Sequence, residues 1–328
     1  MVALMFKRTV KKRNILIRLI LKLLKIYAVE RESFNLINPQ IYNRGKSTFI
    51  LNDKSFIFPT GYVEIDRKIK SVNIIYRYCS SVNLWGASKK WRRIIPNINK
   101  ETLILSCINS LIVSINHFVK NYGNKIKIHI NLVDDGHDNE FNKVIFNILE
   151  KDNIYFSYYK NPNTGNQKSF LFSLELCKKF DDLVFFVEDD YLFEDSAIEE
   201  LILSYSRISS AIKSEIFICP SDYSFYYDKL YHTSLILGAN KKFRFVGETL
   251  MTILTSRKVI DDNYNKLKQI ALEKNDPFEK PLHEIYKNIP CFAPIGALAY
   301  HVSTEAPGLS PHSDWKKVWD KNFTTFRP

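Results

Sequence analysis

The sequence predicts an α/β fold with a mostly parallel central sheet flanked by helices. Segments of strand and helix character alternate from Ser71 to Tyr191, the order that right-handed crossovers between parallel strands require. Within that order Leu183-Val184-Phe185-Phe186-Val187 is an unbroken apolar run between Asp181-Asp182 and Glu188-Asp189-Asp190, the pattern of a strand buried on both faces. A second strand, Lys125 to Val133, also ends in acids, at Asp134-Asp135-Gly136.

The chain has 328 residues, 45% apolar and 14% aromatic, enough to bury one large core or two smaller ones. Its net charge of +12 is unevenly placed. Lys7, Arg8, Lys11, Lys12, Arg13, Arg18, Lys22 and Lys25 all precede the first acid, Glu30, so the remainder is only mildly basic and no nucleic-acid partner is expected. Cys79, Cys107, Cys177, Cys219 and Cys291 are spread singly, which fits reduced core thiols in a cytosolic protein better than disulfides or zinc.

In chain order, Ile15 to Ala28 sets Arg18, Lys22 and Lys25 in one stripe of a helix otherwise rich in Leu and Ile. With the basic run before it, residues 1–28 read as a helix lying on an anionic membrane surface; a helix docked on the protein's own body is the alternative. The expectation is a cytoplasmic protein, peripheral on the inner face of a membrane. Residues 31–70 form a connector with a short hairpin, Ser47 to Leu51 and Ser55 to Phe58. The strand Ser71 to Tyr78 runs into a loop, Cys79 to Pro96, rich in tryptophan and basic residues (Trp85, Lys89, Lys90, Trp91, Arg92, Arg93). A helix from Thr102 to Tyr122 stops at Gly123; its Leu103 to Val119 stretch carries too many polar residues for a membrane span. Then come the strand Lys125 to Val133, a helix Asn139 to Lys151, a strand Ile154 to Tyr159, a helix Ser169 to Phe180 and the central acidic strand. Asp195-Ser196 can cap a helix to Ser210, followed by a strand Ile216 to Cys219. The aromatic segment Tyr223 to Tyr231 belongs to the core or forms a sugar platform. Helices over Lys258 to Asn275 and Phe278 to Asn288, a last strand Pro294 to His301 and a tail with Trp315 and Trp319 complete the chain.

Ligands of open α/β sheets bind beyond the carboxyl ends of the strands, where both acid groups fall. Hard oxygen donors there suit Mg²⁺ or Mn²⁺ carrying a nucleotide's phosphates. The bland readings are solvated acidic turns and, for His301, a satisfied core histidine.

At these residues the chain resembles the glycosyltransferases of the GT-A fold, most closely the large family 2 group, from about Ser71 to His301. The resemblance implies a GT-A-like (Rossmann-type) catalytic domain over 71–302, after the amphipathic helix of 1–30 and before a tail, 303–328. It implies that Arg77, Tyr78, Asp134 and Asp135 hold a nucleoside, and that Asn163-Thr164-Gly165 with Lys168 opens a helix towards the donor. Glu188 or Asp189 would meet the ribose. Asp190, with His301, would ligate Mn²⁺ or Mg²⁺. A carboxylate would act as base in an inverting transfer, and the family's Glu-Asp pair is absent as written: Asp276 is followed by Pro277. Asp276, Glu279 and Glu284 remain candidates, with Glu248 in a Gly-Glu turn as a competitor. The expected activity is transfer of a sugar from a nucleotide-sugar donor to a glycan, lipid-linked or other membrane-proximal acceptor. Its rivals are a nucleotidyltransferase of similar sheet topology and a non-catalytic module binding membrane or RNA. The nucleotidyltransferase reading is weakened by the single glycine between Cys79 and Gly86, where a phosphate loop would want several.

Overall fold

The computed structural model describes residues 65–81, 94–95, 98–136, 138–228, 233–302 and 314–326, with the backbone of 46–51 and 54–59. Residues 1–45 and 82–93, which include the basic helix and the tryptophan loop, lie outside the described residues. Contacts divide the chain into two units, 1–63 and 64–328. In the first, β1 (Lys46–Leu51) and β2 (Lys54–Pro59) form the expected antiparallel hairpin.

The second unit is built on a nine-stranded sheet. Its first half, in spatial order, is β5 (Phe156–Lys160), β4 (Lys127–Asp134), β3 (Ser71–Tyr78) and β6 (Leu183–Glu188), all parallel. Beyond β6 follow β11 (Ile253–Ser256), β8 (Phe217–Ile218), β12 (Cys291–Pro294), β10 (Lys242–Val246) and β9 (Leu235–Leu237). Only β11 and β10 run against the rest, so the sheet is mostly parallel in direction. A separate ribbon pairs β7 (Tyr191–Phe193) with β13 (Ala299–His301), His301 opposite Tyr191.

β6 shows why an unbroken apolar run was needed at the centre. Leu183, Phe185 and Val187 enter one core, and Val184 and Phe186 enter the other. Alternation by twos sends successive side chains to opposite faces, and helices cover both. Each fully buried large apolar side chain contributes about 1.5–3 kcal/mol. On the first face pack α1 (Lys100–Tyr122), α2 (Asn139–Lys151) and α4 (Ala197–Ile212); on the second pack α3 (Asn166–Cys177), α5 (Arg257–Asp262), α6 (Tyr264–Leu272) and α7 (Lys280–Tyr286). α1 is apolar and long enough to cross a membrane, but 72% of its most apolar window is buried inside the fold, so it is a core helix as expected.

Three expectations need correction. The helix over Lys258 to Asn275 is two, α5 and α6, broken at Asn263, whose side chain takes the Val259 carbonyl in competition with the backbone. The last strand does not start at Pro294. β12 ends there, and the chain turns at Gly296 (φ 82°) before joining the small ribbon as β13. Ser196 makes no capping hydrogen bond to α4, and Asp195 pairs instead with Lys321. That lysine belongs to α8 (Trp315–Asn322), whose Val318 and Trp319 pack with Leu103 and Cys107 of α1, Leu192 of β7 and Tyr300 of β13.

Candidate functional site at the carboxyl edge of the sheet

The register places the two acid groups on one edge. Tyr78 at the end of β3 is paired with Asp134 of β4, while Arg77 is paired with Glu188 of β6. β3 lies between them, and its Arg77 joins them. One guanidinium nitrogen lies 2.9 Å from Glu188 Oε1, and another donates to Asn166 Oδ1 at 2.9 Å. Asn166 begins α3, and the preceding Gly165 donates its N–H to Asp135 Oδ2 at 2.9 Å. Gly165 has φ 113°, a conformation that favours glycine there. Asn161, at the other end of the same turn, donates to Asp135 Oδ1 at 2.7 Å. A continuous chain of polar contacts therefore runs from Asp135 through the Asn161–Asn166 turn and Arg77 to Glu188.

Each acid of the 188–190 run meets a different cation. Glu188 meets Arg77. Asp189 meets Lys100, 2.6 Å from Oδ1, and accepts the Cys79 N–H on Oδ2 at 3.0 Å. Asp190 Oδ2 lies 3.1 Å from His301 Nε2, and the Asp190 carbonyl takes the Val302 N–H, tying the acid to the β7–β13 ribbon. Burial pushes the Glu188 carboxyl up to about 7 against the pull of Arg77, with Asp190 pushing the same way. Burial likewise raises Asp189 against Lys100, and raises Glu279. For His301 burial acts downward, but the Asp190 carboxylate outweighs it and holds the ring above its usual pKa. Lys100 is also raised, its burial offset by Asp189.

Glu279 precedes α7, half-buried, and is coupled electrostatically to Glu188, Arg77 and His301. The cluster thus holds four carboxylates against two permanent cations and one histidine. The raised Glu188, Asp189 and Glu279 carboxyls and the raised His301 mark a cluster whose crowded negative charge Arg77 and Lys100 offset only in part. Asp190 Oδ2 and His301 Nε2 are paired with each other at 3.1 Å, so an ion held by both would take the place of that contact. Among the described residues no group of three His, Cys, Asp or Glu side chains forms a cage. Mg²⁺ commonly takes one or two carboxylates completed by phosphate and water; the pair on offer here is one carboxylate and one imidazole.

Several expected site residues have other work. Asp134 is fully buried and accepts from Gly136 N–H, Asn142 Nδ2 and Tyr158 OH, which tie it to the turn. Tyr78 is buried with its hydroxyl on Asn142, pointing into the first core; only its backbone borders the site. Asp189 faces Lys100 and the Cys79 N–H. Asp135 stays on the edge but carries the 161–166 turn. Lys168 is exposed on the first turn of α3. Of the four base candidates, Glu279 is the one brought among the site charges. Asp276 is exposed, and Glu284 is paired with Lys287. Glu248 follows β10, which runs against the parallel strands. Val246 is paired with Cys291 at the start of β12, so the chain leaves at the edge opposite Glu188, and Glu248 is exposed. In the aromatic segment Tyr223 and Tyr226 are core residues, Tyr223 bonding Tyr191 at 2.6 Å, and Tyr227 is exposed.

Sequence reasoning missed Lys100, Asn161, Asn166 and Thr252, whose hydroxyl accepts the Glu188 N–H. Lys100 left one signal: a lysine opening an apolar helix sits where the helix dipole disfavours a cation.

No protein-family model matches the chain, and no curated protein matches it significantly. Solved structures do match. The S. aureus TarS 1-349 structure in complex with UDP-GlcNAc aligns at TM-score 0.37 and 11% identity over 59% of this chain and 47% of that one. The inositol-1-phosphate CTP transferase from T. maritima aligns at 0.41 and 11% over 80% and 100%. The galactosyltransferase LgtC with donor and acceptor sugar analogs aligns at 0.30 and 10% over 66% of each. This chain spans about half of the TarS chain. At TM-scores below 0.5 such likenesses carry no argument about activity.

Proposed function

We propose that the chain is a divalent-cation-dependent glycosyltransferase that takes its sugar from a nucleoside diphosphate. The observation that carries this reading is the joining of two acidic strand ends, Asp135 and Glu188, through Arg77 on one edge of a largely parallel sheet, with Asp190 and His301 beside them.

Arg77 holds Glu188 in one orientation, towards the donor's sugar or ribose hydroxyls. The Gly165–Asn166 turn sets the start of α3 beside it. Asp190 and His301 would hold the metal ion, which supplies positive charge for the departing diphosphate. To hold it, His301 would have to be unprotonated at Nε2, the nitrogen that now faces Asp190. Glu279 is our candidate base for inversion. A carboxyl raised by burial is a better acceptor for the proton of the acceptor hydroxyl, and such a base contributes about 10²–10⁴-fold. The acceptor we infer is lipid-linked or otherwise membrane-proximal, from the basic amphipathic sequence of residues 1–28.

A panel of nucleotide sugars incubated with Mn²⁺ tests the reading. One donor should be hydrolysed slowly by the wild type and not by Asp190→Ala, whose thermal midpoint should stay close to wild type. Equal hydrolysis by Asp190→Ala would reject the metal assignment. Release of pyrophosphate from a nucleoside triphosphate and a sugar phosphate, with no donor hydrolysis, would instead establish a nucleotidyltransferase.

A further inference from the structure

We propose that Lys100 is a positioning residue that withdraws Asp189 from competition for the divalent cation, leaving Asp190 and His301 as the protein's ligands. The inference rests on the reading above and goes one step past it.

Three successive carboxylates are equivalent hard ligands, and a dication near them has no reason to choose the third. The fold supplies one. Asp189 has one oxygen on the Lys100 ammonium at 2.6 Å and the other on the Cys79 N–H at 3.0 Å, so both are committed to protein. Its neighbours turn elsewhere, Glu188 to Arg77 and Asp190 to His301. Lys100 is placed against two costs: its side chain is only 7% exposed, and it opens α1, where the helix dipole disfavours positive charge. It is also firmly seated. Asn99 caps α1 by accepting the Thr102 N–H at 2.9 Å. Thr102 Oγ1 accepts the Phe326 N–H at 3.2 Å, and Ser106 Oγ accepts the Thr324 N–H at 3.1 Å. The chain's last described residues thus pin the first two turns of the helix that presents Lys100.

The test compares Lys100→Met, Asp189→Asn and the double variant. Mn²⁺ binding is measured by calorimetry without donor, alongside thermal midpoint and donor kcat and KM. Lys100→Met should bind Mn²⁺ more tightly through the released Asp189, while kcat falls about 10- to 100-fold at little-changed KM. Asp189→Asn should lose far less kcat although its midpoint falls comparably, and the double variant should return Mn²⁺ binding and kcat towards wild type. A merely structural pair would lose midpoint and kcat in parallel in both single variants, and that result overturns the proposal. Unchanged Mn²⁺ binding in Lys100→Met overturns it too. Should Lys100→Met not fold, the double variant decides, since it leaves no unpaired charge: wild-type Mn²⁺ binding and kcat support the proposal, and loss of either refutes it. If the wild type neither binds Mn²⁺ nor turns over a donor, the transferase reading fails separately. Lys100 is then judged by whether Lys100→Met acquires Mn²⁺ binding that the double variant lacks; no acquisition counts against it.

Discussion

At the residue scale the site depends on which acids are already satisfied by the protein. Asp134 and Asp189 are held by Asn142 and Tyr158 for one and Lys100 and Cys79 for the other, whereas Glu188 meets Arg77, Asp190 meets His301 and Glu279 lies among those charges. Glu279→Gln tests the third of these. Burial raises the Glu279 pKa, so between its unfolded and folded values the folded state binds more protons than the unfolded one. Stability therefore falls as pH rises through that window. Replacing the carboxyl by an amide removes this loss, so the variant's thermal midpoint should gain on wild type as pH rises from acid towards neutrality, while sugar transfer is lost and donor binding stays. A variant that transfers normally removes Glu279 from the mechanism. Gly136 tests the turn itself, because a Cβ there would lie 2.8 Å from Ser80 N and 3.0 Å from Ser80 Oγ. Gly136→Ala should cost about 1–3 kcal/mol by overpacking, read as a lowered urea midpoint. The strand-end acids were legible in the sequence as a group, but the protein partner each one takes was not. The Cys79 N–H reaches Asp189 from 110 residues away in the chain.

At the element scale, local pattern located most strands and helices. β3 and α2 match their expected bounds, and the apolar run of β6 is buried on both faces. The pattern failed where a side chain competes with the backbone, as at Asn263, and where a short strand leaves its sheet, as between β12 and β13. The small ribbon was invisible for the same reason. Three residues on each strand carry no periodicity, yet the ribbon sets Asp190 beside His301. The C-terminal segment, expected as a tail, has a helix that covers this ribbon: Trp319 of α8 packs with Leu192 and Tyr300. Trp319→Ala should therefore cost about 3–5 kcal/mol in unfolding free energy, measured by denaturant titration. A loss within a few tenths would mean that α8 is not part of the packed core.

At the scale of the whole molecule, the central organisation follows from strand direction. Four parallel strands bring their carboxyl ends to one edge, and the acids of β4 and β6 arrive there with β3 and its Arg77 between them. The charge asymmetry concerns residues outside the described ones, and the sequence alone predicts its effect: removal of residues 1–28 should abolish co-sedimentation with anionic vesicles and leave donor hydrolysis in place. The joined edge is tested most directly by titrating UDP, GDP and CDP into the wild type, Arg77→Met and Asp190→Ala, each with and without Mn²⁺. The account predicts that one nucleotide binds the wild type strongly only with Mn²⁺, that Asp190→Ala loses the Mn²⁺ dependence, and that Arg77→Met loses binding with or without the metal. Binding of none of the three nucleotides, or binding indifferent to both substitutions, would contradict it.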